Sequence, residues 1–356
     1  MSNGLPASER ALPAIRLQRS RLIWLGVLAV LTVALLLALG DAGAAWQAVK
    51  RADPRLIGLA LVVHYSGFAV RGYRWQRLLA VSGHRLSYRY AASVLLGGWF
   101  VSALLPARLG DAFRVAVLRL PSSAQRPSVP VADSLGVILL ERALDISAIL
   151  VLSAGFGYAA LGARLPRWLL MTYLVTLGIL ALFALALLLV PALIDRLKRW
   201  SGHRLWHAGL DFARQLIAGL HTLPRRPGTG PLVVVASLYI WLCDAAVLWL
   251  VIAGLGARLP FAEAGFVALT VDIFAAVPLT PGGMGQVEAV YAALLALLAA
   301  APFSVAAAVL VTRAITYWSF LLFSGAVTFA AGFGSLLAPQ PSTEPASDLA
   351  QRGGGS

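Results

Sequence analysis

The stretch LLPARLGDAFR, Leu104–Arg114, decides the fold. It interrupts an apolar region running from about 90 to 120. A proline, two arginines, an aspartate and a glycine stand where a membrane helix would otherwise continue. A second apolar region, about 263–300, is broken in the same way by PLTPGGMG, Pro278–Gly285. Irregular backbone at membrane depth is tolerated only where protein buries it or where it lines a cavity. Each break therefore predicts an interior polar site rather than a surface loop.

The rest of the chain supports a membrane setting. Of its 356 residues 60% are apolar and only 12% charged, and the mean hydropathy is +0.82. A soluble protein carries about a quarter charged residues. The apolar runs are long and continuous, unlike the short alternating segments of a membrane β-barrel. Six of them reach the span length of about 20 residues: roughly 22–40, 54–70, 131–157, 167–190, 231–253 and 303–332. The expected fold is an all-α polytopic membrane protein with about six full spans plus two re-entrant broken helical hairpins in an inverted repeat. Residues 1–21 read as a cytoplasmic N-terminal segment and 22–332 as a single membrane domain. Repeat one covers about 54–157 and repeat two about 231–332. The linker 158–230 contains a candidate interfacial helix at 193–220. Residues 333–356 read as a disordered tail, and their GGGS end as a cloning remnant.

Charge sets the expected orientation. The chain carries 29 basic and 15 acidic residues, net +14. In a soluble protein this would suggest nucleic acid; here it fits cytoplasmic loops that hold the topology. With the N-terminus cytoplasmic and both broken regions re-entrant, twenty basic residues fall on the cytoplasmic side and six on the other. Arg71, Arg74 and Arg114 are counted among the twenty. Arg108, Arg142 and Arg313 are left at membrane depth. Nucleic acid is not an expected partner. Only Lys50 and Lys198 are lysines, and arginine is the better ligand for phosphate.

The two halves echo each other. Pro106-x-x-x-Gly110 matches Pro281-x-x-x-Gly285, and each is followed by an acid, Asp111 and Glu288. LLERALDI, from Leu139, parallels LVTRAITY, from Leu310, and sets Arg142 opposite Arg313. Three spans separate the breaks, so the hairpins enter from opposite faces, as in transporters built from inverted repeats. Each break leaves a half-helix whose free N–H groups and positive dipole end suit an anion.

A charge inside a membrane span costs a few kcal/mol or more and faces a partner or a water-filled path. Arg108, Arg142 and Arg313, with Gly110, Asp111, Gly282, Gly283 and Gly285, form the expected substrate site, because the guanidinium fork fits phosphate oxygens. Glu141, Asp145, Asp272 and Glu288 are the charge-balancing or proton-carrying candidates, and Pro106, Pro278 and Pro281 the hinges. Competing readings stand beside these. Glu141, Arg142 and Asp145 can pair within the bundle. Asp111 and Glu288 can serve as helix N-terminal acids. Arg114 reads as an interfacial charge, Asp244 has no partner in sight, and His64 and Cys243 read as packed side chains.

Catalytic motifs are lacking. Neither lysine is followed by Ser or Thr, so no Walker A sequence exists, and HExxH and GxSxG are absent. The five histidines are scattered and the single cysteine, Cys243, cannot form an internal disulfide. No cofactor, no metal and no enzymatic activity are expected.

The motifs P-x-R-x-G-[ED]-x-x-R (Pro106, Arg108, Gly110, Asp111, Arg114), E-R-x-x-D (Glu141, Arg142, Asp145) and P-x-x-P-G-G-x-G-x-x-E (Pro278, Pro281–Gly283, Gly285, Glu288) together resemble the flippase-like membrane proteins typified by the transmembrane region of lysylphosphatidylglycerol synthase. The likeness runs from about Leu22 to Gly332, with no synthase domain beside it; some members of the group are linked to hopanoid or cell-surface glycan pathways. It implies a stand-alone lipid translocator of the bacterial inner membrane with both termini cytoplasmic. The expected cargo is an anionic or phosphate-bearing lipid, either a phospholipid or a polyprenyl phosphate. A separate lipid-modifying enzyme is a candidate partner. An ion-coupled transporter of a small anionic solute, a lipid-phosphate-modifying membrane enzyme and a non-transporting partner subunit are the alternatives.

Overall fold

The structure is a computed structural model. It describes residues 42–105, 109–120, 128–162, 167–197, 228–276, 280–298 and 304–333, with a few positions within 27–31 and 207–214. The described residues are helical and contain no strand. In chain order the helices are α1 (Ala42–Lys50), α2 (Pro54–Val81), α3 (Tyr88–Leu104), α4 (Leu109–Arg119), α5 (Val131–Leu161), α6 (Arg167–Leu197), α7 (Thr229–Gly254), α8 (Phe261–Ala275), α9 (Gln286–Leu298), α10 (Val305–Arg313) and α11 (Phe320–Ala330). A tight 3₁₀ turn, Pro281–Gly283, joins α8 to α9. A wide π turn, Ala314–Ser319, joins α10 to α11 without a break.

Local chemistry sets the starts. The Asp53 carboxylate accepts the Arg55 N–H at 2.8 Å ahead of Pro54, which suits a first helical turn. Ser87 caps α3 and Ser304 caps α10, each through its hydroxyl oxygen. Apolar composition carries the interiors. Among the described residues, four stretches are long and apolar enough to cross a membrane: Pro54–Val81, Leu169–Val190, Thr229–Gly254 and Val305–Ala330. Helix α5 has 31 residues but carries Asp133, Glu141, Arg142 and Asp145. The expected span at 22–40, the N-terminal segment and the tail lie outside the described residues.

Both interrupted regions fold back on themselves. At 11 and 13 residues, α4 and α9 are about 16 and 20 Å long, against a hydrocarbon core of about 30 Å. Helices α3 and α4 lie side by side and touch backbone to backbone, since a Cβ on Gly110 would fall on the Gly98 carbonyl. Small residues at such crossings let membrane helices approach closely. Helices α8 and α9 pack likewise, and Gln286 Nε2 donates to the Phe274 carbonyl at 2.8 Å.

The packing is symmetric under exchange of the halves. Helix α2 lies against α7, its equivalent, and the two run antiparallel: Asp53 N–H donates to Gly254 O at one end, and Arg74 meets Ser237 toward the other. Helix α3 packs on α11, and α8, its equivalent, packs on α5. Two large apolar cores draw on both halves, one around Trp75, Leu95 and Phe113 with Val233 and Phe333, and one around Phe266, Val267 and Leu295 with Leu150.

Two boundaries differ from those read in the sequence. Helix α2 does not stop at 70 but continues to Val81, carrying Arg71 and Arg74 into the bundle with it. Helix α6 runs on to Leu197 rather than ending at 190, so 193–197 belong to it, while the described positions within 207–214 are helical. The remainder of 193–220 is largely outside the described residues.

Replacing Gly110 with Val is expected to force α3 and α4 apart and to cost about 1–3 kcal/mol or more. Thermal unfolding of the purified protein should show a clear drop in midpoint. Gly58→Ala, which meets nothing within 4 Å, should leave the midpoint nearly unchanged.

Candidate functional site

The interior of the bundle holds five arginines among the described residues, and each has an acid. On α2, Arg74 Nη1 donates to Asp145 at 2.7 Å and to Ser237 Oγ at 2.7 Å, and its Nη2 lies 3.5 Å from Glu141. On α4, Arg114 donates to the other oxygen of Glu141 at 2.7 Å and stacks 4.9 Å from the Trp75 ring. Glu141 thus bridges two guanidinium groups. Asp145 also accepts from Trp241 Nε1 at 3.1 Å. These groups are fully enclosed: Arg74, Arg114 and Glu141 are each 1% exposed.

The sequence places Arg71, Arg74 and Arg114 in cytoplasmic loops or at the interface. The structure corrects all three. An enclosed guanidinium is held by hydrogen-bonded acids on neighbouring helices, and Glu141, Asp145 and Asp244 supply them. These arginines leave the cytoplasmic side of the charge count, which weakens the bias without reversing it. Asp244 does have a partner: Arg71 Nη2 donates to it at 3.1 Å. The Arg71 guanidinium lies over the rings of Trp241, Trp99 and Phe68, at 4.6, 5.4 and 5.6 Å from their centroids. His64 and Cys243 are buried, His64 against Tyr65 and Phe68 and Cys243 against Gly67.

The two repeats place equivalent pairs at equivalent points. After the first break, Asp111 in the first turn of α4 accepts from Arg142 on α5, with both oxygens 3.1 Å from the same Nη2. After the second break, Glu288 in the first turn of α9 accepts from Arg313 Nε at 2.7 Å. The second pair is tighter. The other oxygen of Glu288 accepts the Gly285 N–H at 2.8 Å, a carboxylate capping its own helix from the third position. Arg313 Nη2 also donates to the Gly282 carbonyl at 3.0 Å. Gly282, Gly283 and Gly285 all have positive φ, 62°, 64° and 82°, which a side chain would resist. The Glu288 carboxylate therefore stands where the sequence suggests a substrate anion at this N-terminus.

The pairs also differ in exposure. The Asp111 and Arg142 side chains are 23% and 25% exposed, against 7% and 10% for Glu288 and Arg313. Arg142 Nε has no hydrogen-bond partner. The first broken helix reaches the second break. The end of α3 contacts Pro281–Gly283, and Tyr317, in the π turn just after Arg313, donates to the Ala103 carbonyl at 3.2 Å. Of the other expected site residues, Gly110 lies at the α3–α4 crossing and Asp272 in the last turn of α8. Pro106, Arg108 and Pro278 lie outside the described residues.

Matched acid–arginine pairs thus stand behind both breaks, and in each the carboxylate occupies the guanidinium. The family described as the lysylphosphatidylglycerol synthase TM region matches residues 23–324. The chain belongs to this family. Within it, the chain is 27% identical over 345 residues to the glycosyltransferase AglD of Haloferax volcanii, covering 87% of the chain and 53% of that protein. The chain thus spans about half the length of AglD. It is 29% identical over 234 residues to a UPF0104 membrane protein of Methanocaldococcus jannaschii, covering 65% of the chain and 93% of that protein. A UPF0104 membrane protein of Methanothermobacter thermautotrophicus is 24% identical over 295 residues, 76% of the chain and 82% of its own length. The chain is a multi-pass membrane protein of this family, and the sequence resemblance named the same one.

Glu141→Ala leaves Arg74 and Arg114 without a shared acid, and breaking a buried pair costs about 3–5 kcal/mol. Size-exclusion profiles in detergent should show loss of monodisperse protein. Glu141→Asp should fall between that and the parent.

Proposed function

We propose that the chain is a lipid translocator that carries a phosphate-bearing lipid across the membrane, its headgroup passing between the two broken helices while the tails remain in the bilayer. On this reading both breaks are re-entrant, entering from opposite faces, and the halves rock about the point where their tips meet. The protein is a carrier and not an enzyme. It resides in the bacterial inner membrane with both termini cytoplasmic, and a separate lipid-modifying enzyme supplies or uses its cargo.

The observation that carries the reading is the Asp111–Arg142 pair. It is the looser and more exposed of the two matched pairs, and Arg142 has a spare N–H at Nε on the guanidinium that already donates through Nη2. A phosphate displacing Asp111 gains two hydrogen bonds from one guanidinium, the geometry arginine favours. Release of Asp111 frees α4 from α5. The partner half keeps Glu288 on Arg313, closed by the cap to Gly285. Exchanging the roles of the two pairs is then the alternating-access step. Membership in a family described by a lipid synthase's membrane region supports a lipid over a soluble anion.

Liposomes containing the protein and labelled phospholipids or polyprenyl phosphates test this by the rate of transbilayer movement. Arg142→Ala should slow the movement of one phosphate-bearing class at least about tenfold, as a charged hydrogen bond of about 1.5–3 kcal/mol predicts. The exchanged pair Asp111→Arg with Arg142→Asp should fold yet move lipid poorly. Parent protein that moves none of these lipids but releases a trapped soluble phosphate would replace the lipid with a solute.

A further inference from the structure

The described interior contains one acid more than it has arginines to hold. Arg71 pairs with Asp244, Arg74 with Asp145, Arg114 with Glu141, Arg142 with Asp111 and Arg313 with Glu288. The sixth acid, Asp272, makes no ion pair or hydrogen bond through its side chain among the described residues. It is half-buried in the last turn of α8 beside the second break. An uncompensated charge at membrane depth is costly and marks a proton or ion path.

The surroundings of Asp272 add to the excess of negative charge. It stands at the C-terminal end of α8, where the backbone carbonyls gather and the helix dipole opposes an anion. The helices packed on α8 are α5, α7 and α9. From α7 comes Asp244, and from α9 the Tyr291 hydroxyl, each within electrostatic reach of Asp272. From α5 comes Asp145, which is held by Arg74 and acts on Asp244. Among the described residues, the cation acting on Asp272 is Arg71 of α2, already committed to Asp244. Arg71 is 5% exposed, and its Nη1 has no hydrogen-bond partner. One guanidinium with a spare donor therefore holds Asp244 and lies within electrostatic reach of Asp272.

We infer that Asp272 is a proton-binding site that couples the bundle to a proton gradient, with Arg71 as the switch it governs. When Asp272 takes a proton, every described interior acid that remains charged has its own arginine, and Arg71 stays on Asp244. When the proton leaves, Asp272 competes with Asp244 for Arg71. Since α8 leads directly into the second break, that competition pulls on Pro281–Gly285. No bond other than the carboxyl O–H forms or breaks. The sequence groups Glu141, Asp145, Asp272 and Glu288 as charge-balancing or proton-carrying, and singles out Glu141, Asp145 and Glu288 as candidate proton carriers. The structure separates them, because the other three are each held at 2.7 Å by an arginine.

The inference rests on the translocator reading for what the proton drives, but not for its binding. Binding is tested first, by infrared difference spectra of the full chain in lipid, titrated between about pH 5 and 9, the range in which enclosed carboxyls have been found to titrate. A protonated-carboxyl band that titrates in the parent, disappears in Asp272→Asn and returns in Asp272→Glu is expected. No titrating band, a band unaffected by Asp272→Asn, or a band displaced by sodium ions would each overturn the inference. Coupling is tested second, in liposomes with an imposed pH gradient. Lipid movement should respond several-fold to the gradient in the parent and not in Asp272→Asn. A gradient response that survives in Asp272→Asn would overturn it. If no lipid moves in any sample while the Asp272 band persists, the translocator reading fails and the proton site stands.

Discussion

A guanidinium removed from water into a membrane bundle must find a carboxylate. The rest of this structure depends on that requirement. Among the described residues five arginines lie in the interior, on α2, α4, α5 and α10, and each is tied to an acid on a different helix. Lipid gives helices no hydrophobic reason to associate, so packing and polar contacts must supply the specificity. Here Glu141 joins α5 to both α2 and α4, and Arg71 joins α2 to α7. Among the described residues, the same pairs that hold the bundle together also carry charge that can meet a substrate. Structural and functional charges thus differ in how tightly they are held rather than in kind.

The breaks follow from the same constraint. A proline–glycine interruption exposes backbone that lipid cannot satisfy. In the second break the chain satisfies it internally: Glu288 caps Gly285 N–H, and Arg313 takes the Gly282 carbonyl. Three successive positive-φ glycines make that turn tight enough for the Tyr317 ring to close over Gly282. The wide π turn begins at the residue after Arg313 and carries Tyr317 across to the first half. Such widened turns are found often at functional positions, and this one sits where the halves touch.

Much of the architecture was legible in the sequence. The two interruptions, the half-chain offset and the acid–arginine echo led to paired breaks, and the structure places Asp111 on Arg142 and Glu288 on Arg313. The misread residues share a cause. Hydropathy ended the second span at the first arginine, yet no proline occurs between Arg71 and Val81, and Gly72, the one glycine there, is carried inside the helix. Arg71 and Arg74 lie three residues apart, one turn of a continuing helix, and that spacing was the available signal. Arg114 was assigned to the interface because α4 is short; only the packing of α4 on α3 and α5 shows it enclosed. Asp244 lacked a partner for the same reason that Arg71 lacked a place. The π turn has no signature in composition or spacing.

The central claim is that both broken helices return to the side from which they enter, on opposite faces of the membrane. Single cysteines, placed in a chain whose Cys243 is replaced by Ala, report this through labelling of intact vesicles with a membrane-impermeant thiol reagent. Positions 83 and 123 flank the first broken pair, and positions 256 and 301 the second. The account predicts that 83 and 123 label from one side and that 256 and 301 label from the other. Labelling of 83 and 123 from opposite sides, or of all four from the same side, would contradict it.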